Sequence, residues 1–318
     1  MMTLPINKID RMREAPYNFP MIGLSIRQLE VFDAVAATGS VRRAAEQLHL
    51  TQPAVSMALG ELERQLGSTL FDRERGRLHL NAQGAEQLPL AREILERLQD
   101  MQRRHPDTQG ALHGSLRVGA SNTVGNYLVG ELLGPIVAQH PQVALHLTVD
   151  NTRAITGMLI DHAIDIGCVE GPVHHAQLET LPWRSDALVV CAAPSHPLAR
   201  QARLRPAHFA GAHWILRERG SATRSLTEQA LTALPPGRIL LELGQIEAIK
   251  QAVIAGLGIA CLPYAATLDA VATGRLRVLR TPFLNLDRRL SIVLHRSRYR
   301  GTLIEAFLHS LESAHAQD

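Results

Sequence analysis

Apolar positions first recur at helical spacing from Ser25. Ser25 and Gln28 have capping-box spacing, and Leu29, Phe32 and Val35 then fall on one face until Thr38-Gly39. Ser40 opens a second helix, Val41 to Leu48, that buries Ala44, Ala45 and Leu48. His49-Leu50 form a tight connection. Thr51 then caps a third helix, with Pro53 in its first turn, Val55, Leu59, Leu62 and Leu66 along its inner face, and Gly67 as its stop. From Leu70 to Leu80, apolar residues flank a charged turn at Gly76, which predicts a β-hairpin, or wing. Helical period returns from about Gln83 to Arg104, with Leu88, Ala91, Ile94, Leu95, Leu98 and Met101 in one stripe. Arg92, Glu93, Glu96, Arg97 and Arg103 lie opposite. Such a long amphipathic helix pairs with another helix. Pro89 predicts a kink, and His105 to Gly114 reads as a hinge.

Beyond Leu116 strands and helices alternate. Strands are expected at Leu116–Val118, Ala144–Val149, Ile164–Val169, Leu188–Ala193, Trp214–Leu216, Ile239–Leu243, Ile259–Leu262 and Ser291–Leu294. Helices are expected at Val124–Gln139, Thr152–Asp161, Ser225–Leu234, Glu247–Ala255 and Thr302–Glu312. This alternation predicts parallel sheets covered by helices.

Composition narrows the class. The 318 residues exceed one ordinary domain, and 46% hydrophobic with 20% charged residues is the make-up of a folded soluble protein. No stretch approaches the roughly 20 apolar residues that span a bilayer. The three cysteines, Cys168, Cys191 and Cys261, form no CxxC pair or metal spacing, which fits a reducing cytoplasm. Residues 1–23 contain Pro5, Pro16 and Pro20 but no continuous apolar core, so they read as a flexible leader rather than a signal peptide. His174-His175 has no carboxylate at ligand spacing and reads as solvated loop; no GxSxG, HExxH or P-loop occurs. The expectation is a non-enzymatic protein without cofactor or metal.

Two short helices joined by a tight turn, with small polar residues outside the second, have the form of a helix-turn-helix. Thr51, Gln52, Pro53, Ser56 and Met57 lie at the outer start of the third helix. A glutamine amide pairs with adenine, a serine hydroxyl meets several base edges, and a methionine suits a thymine methyl. Arg42 and Arg43 open the second helix, and Arg73, Arg75 and Arg77 cluster on the wing; both groups suit backbone phosphates. Charge itself adds nothing, because seven arginines from Leu24 to Gly84 face seven acids. An ordinary three-helix bundle with a solvated face is the competing reading.

The run LSIRQLEVFDAVAATGSVRRAAEQLHLTQPAVSMALGELERQLGSTLFDR resembles the LysR family signature over its whole length. The resemblance implies an α+β winged helix-turn-helix DNA-binding domain over 24–82. A linker and dimerisation helix with hinge follows over 83–111. An α/β two-lobed effector domain of the periplasmic-binding-protein-like type 2 fold completes the chain, lobe I over 112–170 and 283–318, lobe II over 171–282. It also implies an oligomeric regulator: double-stranded promoter DNA as partner, a homodimer through the linker helix, a homotetramer, and contact with RNA polymerase. Two positions depart from the commonest pattern, Met57 and Gly60 standing where basic residues are usual. Asn81-Ala82-Gln83 also replaces the usual Thr-Pro before Gly84.

Three segments of the second half have the chemistry of an anion cleft. Ser121, Asn122 and Thr123 form a strand-to-helix turn whose hydroxyls and backbone N–H groups converge. Ser221, Thr223 and Arg224 repeat that arrangement with a guanidinium, and Gln245-Ile246 precede a third helix. Plain N-capping explains each segment singly. Glu170, at a strand end, is a carboxylate that repels a dianion, accepts a hydrogen bond from a protonated one, or pairs with Arg224. The second half resembles the family branch containing Calvin-cycle and sulfur-anion-responsive regulators. That branch implies a small anionic effector held by the Ser121 and Thr123 hydroxyls.

Overall fold

The computed structural model describes residues 23–74, 76–103 and 112–315. The expected leader, apart from Gly23, therefore lies outside the described residues, as do Arg75 and most of the hinge. The chain divides into two compact units, Met1–Leu95 and Glu96–Asp318.

In the first unit, α1 (Ile26–Thr38) starts at Ser25, whose hydroxyl accepts from Gln28 N–H while the Gln28 side chain accepts from Ser25 N–H. Ser40 caps α2 (Val41–Gln47) and Thr51 caps α3 (Gln52–Leu66). Val31, Phe32, Val35, Ala44, Ala45, Val55, Leu59 and Leu62 close one core, with Phe71 edge-on to Phe32 at 5.7 Å. The predicted wing is β1 (Phe71–Glu74) against β2 (Arg77–Leu80), antiparallel, Phe71 opposite Leu80.

The next helix, α4 (Ala82–Arg103), runs past Pro89 as one unbroken element. Asn81, one of the family departures, opens it: its Oδ1 accepts from Gly84 N–H at 2.9 Å and its amide donates to the Thr69 carbonyl. Gly84 is demanded by a close approach, since a Cβ there would stand 2.1 Å from the Leu70 carbonyl oxygen. The expected single stripe divides. Leu88 and Ala91 are buried in the first unit's core, whereas Ile94 and Met101 of the same stripe are exposed, as is Leu90 outside it.

The second unit is α/β. Its first strands are β3 (Gly114–Ser121), β4 (Val143–Asp150) and β5 (Ile166–Glu170), all parallel. Helices α5 (Asn122–Tyr127), α6 (Val129–Gln139) and α7 (Thr152–Ile160) connect them. One helix was expected over Val124–Gln139; it breaks at Leu128, whose N–H closes α5 on the Val124 carbonyl. Two long strands follow the lobe I sheet outward: β6 (Leu178–Ala192) and β11 (Asp287–His295). Between them in sequence come β7 (His213–Arg217), α8 (Ala222–Leu231), β8 (Arg238–Leu243), α9 (Ile246–Ile254), β9 (Ala260–Pro263), α10 (Tyr264–Ala272) and β10 (Arg277–Leu279); α11 (Thr302–His315) closes the unit. The main sheet has the order β10-β6-β11-β5-β3-β4, with β9 also paired to β6.

The change of strand partner falls later than expected. From Leu178 to Ala187, β6 pairs with β11; from Leu188 it pairs with β9 and β10. Residues beyond Gly171 therefore return to the lobe I sheet, because Leu178, Leu181 and Trp183 pack on that lobe's cores. On the return the change falls at Leu286/Asp287 rather than Pro282, with Leu188 N–H donating to the Leu286 carbonyl. Separate cores sit on the two sides: Leu116, Val118, Ile136, Ile166, Ile292 and Phe307 on one, Val190, Phe209, Trp214, Leu216 and Ile259 on the other.

Candidate functional site

The helix-turn-helix presents a defined face. Burial of Val55, Leu59 and Leu62 turns Gln52, Pro53, Ser56, Met57 and Gly60 outward, Met57 being 75% exposed. Thr51 is exposed, and its hydroxyl oxygen is engaged in the cap of α3, accepting from Ala54 N–H at 3.3 Å. Arg42 is exposed and pairs loosely with Glu46 at 3.5 Å, while Arg43 donates to the Thr38 carbonyl. Arg73 and Arg77 are exposed on the hairpin. Gln52, Ser56, Met57, Arg42, Arg73 and Arg77 thus lie on the outer surface of the first unit.

In the second unit, the N-termini of α5 and α8 are joined by a residue the sequence reading missed. Arg288 of β11 donates to Thr123 Oγ1 at 3.0 Å and to Thr223 Oγ1 at 2.9 Å. Its Nε donates to Asp186 at 2.7 Å, and its side chain is 3% exposed. One guanidinium thus ties a threonine from each lobe. Glu170 lies 4.0 Å from it, accepting from Thr123 N–H at 3.0 Å and from the Thr152 hydroxyl at 3.3 Å. Burial raises the Glu170 carboxyl, but the Arg288 charge and the Thr123 groups beside it prevail and hold it below the usual carboxylate range. The donors at the start of α5 therefore already surround a carboxylate of the protein itself. The lobes also touch where Arg153 N–H donates to the Gly220 carbonyl at 3.2 Å.

The remaining expected residues divide. Ser121 and Asn122 are buried beside Thr123, and Ser121 Oγ and Asn122 Oδ1 have no hydrogen-bond partner among the described residues. Ser221 caps α8, so the plain capping reading holds for its oxygen. Arg224 does not meet Glu170. It binds Glu228 at 2.8 Å, Glu242, and the Arg217 carbonyl, because its place in the first turn of α8 directs it along β7 and β8. Gln245 is exposed at the start of α9, and the Ile246 side chain belongs to the α9 core. Among the described residues no group of three or more His, Cys, Asp or Glu could hold a metal ion, and no helix is long and apolar enough to cross a membrane.

Outside the cleft, the His162 and His295 rings meet with centroids 4.3 Å apart and planes tilted by 50°. Burial, then the His295 charge, lowers His162; burial, then the His175 charge, lowers His295. Both are held neutral in the folded state, so their contribution is full above the ordinary histidine value of about 6.5 and is lost as pH falls below it. The second unit's melting temperature is expected to fall between pH 7.5 and 5.5, and His162→Asn to flatten that fall. An unchanged slope in the variant would exclude the pair as its source.

A helix-turn-helix with a wing, followed by a two-lobed α/β unit with polar groups converging between the lobes, defines a ligand-responsive DNA-binding regulator. Residues 26–85 match the family described as bacterial regulatory helix-turn-helix protein, lysR family, and residues 109–316 match the LysR substrate binding domain. The chain belongs to the LysR family and is a LysR-type transcription regulator with an effector-binding domain. Among relatives, the HTH-type transcriptional regulator YeiE of Escherichia coli (strain K12) is 38% identical over 292 residues, 92% of this chain and 98% of the relative. The RuBisCO operon transcriptional regulator of Acidithiobacillus ferrooxidans is 32% identical over 295 residues, 92% and 94%, and represents the expected Calvin-cycle branch. A full-length OxyR from Pseudomonas aeruginosa superposes with a TM-score of 0.72 at 25% identity, covering 91% of this chain and 95% of that one. The Synechocystis CcmR regulatory domain, solved in complex with 2-PG, gives a TM-score of 0.59 at 28% identity, covering 63% and 97%.

Proposed function

We propose that this regulator binds promoter DNA through α3 and the wing and responds to a small anion bound between Thr123 and Thr223. The observation that carries the effector reading is Arg288, a buried guanidinium shared by the two lobes at the meeting point of two helix N-termini. A buried cation with hydroxyl donors beside it is the chemistry that holds an oxyanion or carboxylate. Ser121 and Asn122 supply further polar groups at the same place, and Glu170 is the carboxylate with which such an anion competes or shares a proton. CcmR was solved with 2-PG bound; a phosphorylated or carboxylated metabolite, or an inorganic oxyanion, fits the same class here. Effector binding shifts the lobes only by differential affinity for their two arrangements.

The DNA-reading residues are Gln52 and Ser56, with Met57 beside them, while Thr51 and Pro53 set the start of the reading helix. Arg42, Arg43, Arg73, Arg75 and Arg77 hold phosphates. Dimers form through the exposed Leu90, Ile94 and Met101 of α4 and assemble into tetramers that contact RNA polymerase. The protein acts in the cytoplasm, without enzymatic activity or cofactor.

Thermal shift against sulfate, sulfite, phosphate, 2-phosphoglycolate and small carboxylates tests the anion. At least one is expected to raise the melting temperature of the wild type and to lose that effect in Thr123→Val, with DNA binding kept. Equal shifts in both proteins would sink the assignment of Thr123. The absence of salt-dependent, sequence-selective DNA binding in a mobility-shift assay would sink the DNA reading.

A further inference from the structure

Two adjacent strands run from the cleft to the end of the linker helix. β5 and β11 are antiparallel neighbours, with Leu290 opposite Glu170 and Val293 opposite Gly167. Their cleft ends carry Glu170 and Arg288. At their other ends lie Asp165, immediately before β5, and Arg298, shortly after β11.

Those ends form a polar clamp. Asp165 accepts from Arg117 N–H at 2.9 Å, from two nitrogens of the Arg117 guanidinium at 2.6 and 3.1 Å, and from Arg298 at 3.2 Å. Arg298 also pairs with Glu96 of α4 at 2.7 Å. One turn on, Asp100 is 3% exposed and accepts from Thr302 N–H at 3.1 Å, the Thr302 hydroxyl at 2.6 Å and the Tyr299 hydroxyl at 3.0 Å. Arg97 lies over the Tyr299 ring, 4.1 Å from its centroid. Gly301 completes the fit, because a Cβ there would stand 2.4 Å from Glu96 Oε1 and 3.0 Å from Asp100 Oδ2. Residues from Glu96 onward belong to the second unit, whereas α4 as far as Leu95 belongs to the first.

We infer that this clamp is the output of the effector domain: Asp165 and Arg298 are positioning residues that convert a change at Arg288 and Glu170 into a change at the last two turns of the linker helix. Paired strands are stiff along their length, so a shift at one end moves the other. Closely packed charged groups have discrete arrangements rather than a continuum, which makes the helix end respond in steps. Glu96 and Asp100 sit one turn apart on one helix face, so a concerted move of Arg298 and Thr302 turns or slides that helix as a body. Coupling of this kind is reciprocal: what the cleft does to the clamp, the clamp does to the cleft.

The inference rests on the cleft being the place where the lobes change relation, but its test needs no effector. Hydrogen exchange is followed on the full chain in wild type and in Thr223→Val, which removes one hydroxyl from Arg288 with little change of volume. Amides of 96–103 and 298–302 are expected to change exchange rate at least about 5-fold, the lower end of ordinary coupling, while β3 and α11 core amides stay as in wild type. Gly301→Ala, made separately, is expected to alter exchange around Thr123 and Thr223 in return. Clamp amides that exchange as in wild type in Thr223→Val overturn the inference, and so does a uniform rise across the unit, which is only lost stability. If no anion shifts the melting temperature but the coupling is seen, the anion reading fails and the coupling stands.

Discussion

Arg288→Met is expected to remove about 3–5 kcal/mol from the stability of the second unit, the cost of breaking a buried ion pair from one side. The guanidinium is 3% exposed and stands against two carboxylates, Asp186 at 2.6 Å and Glu170 at 4.0 Å. Methionine fills much of the volume but leaves both charges in a poorly solvated place. Glu170 must then keep its charge with only the Thr123 and Thr152 donors, or take up a proton. The two threonine hydroxyls lose a donor but keep the freedom to turn, so they add little. Arg288→Lys retains one charge and loses the fork that reaches Thr123, Thr223 and Asp186 together, and it is expected to fall between the two. The measurement is clean, because the chain's two tryptophans, Trp183 and Trp214, both belong to the second unit. Denaturant unfolding followed by their fluorescence reports that unit and not the helix-turn-helix. A loss below about 1 kcal/mol would mean that the site relaxes or hydrates freely, and Arg288 would no longer be a structural tie between the lobes.

The sequence pattern shows the first unit almost completely and the cleft only by halves. Each helix of the reading head carries its own start and stop in adjacent residues: Ser25 with Gln28, Ser40, Thr51, Gly67. Such signals are local and survive without tertiary information. Thr123 and Thr223 are legible for the same reason, as polar residues at helix starts. Arg288 is not. In sequence it is one of three charged residues, Asp287-Arg288-Arg289, ahead of an apolar run, with no local signal of burial. Only contacts spanning 65, 102 and 165 residues, to Thr223, Asp186 and Thr123, show that it points inward. The first half of β6 is hidden similarly, because Pro182, Arg184 and Asp186 interrupt its alternation while the pairing with β11 supplies its hydrogen bonds. Arg224 shows the converse error. Its neighbours in sequence suggest a cleft, but its partners Glu228 and Glu242 lie away from Glu170.

On DNA, Gln52→Ala and Arg42→Ala are expected to fail in different ways. The Gln52 amide projects from the first turn of α3, where bidentate pairing with adenine is worth about 1–3 kcal/mol of discrimination. Its loss lowers affinity for a duplex selected from a random library by about 5- to 150-fold, leaves affinity for unrelated duplex unchanged, and relaxes selection at one base position. Arg42 is exposed, and a loose surface pair such as that with Glu46 contributes little, so its transfer to a phosphate gives up almost nothing. Arg42→Ala should weaken both duplexes alike and reduce the slope of log affinity against log salt by about 0.9, the share of one phosphate contact. Met57 provides the complementary gain. It is 75% exposed where basic residues are usual in the family, so Met57→Lys is expected to raise affinity for unrelated duplex and steepen the salt slope by about one contact. If Gln52→Ala weakens selected and unrelated duplex equally, Gln52 holds backbone and not base, and the reading face of α3 has to be placed elsewhere.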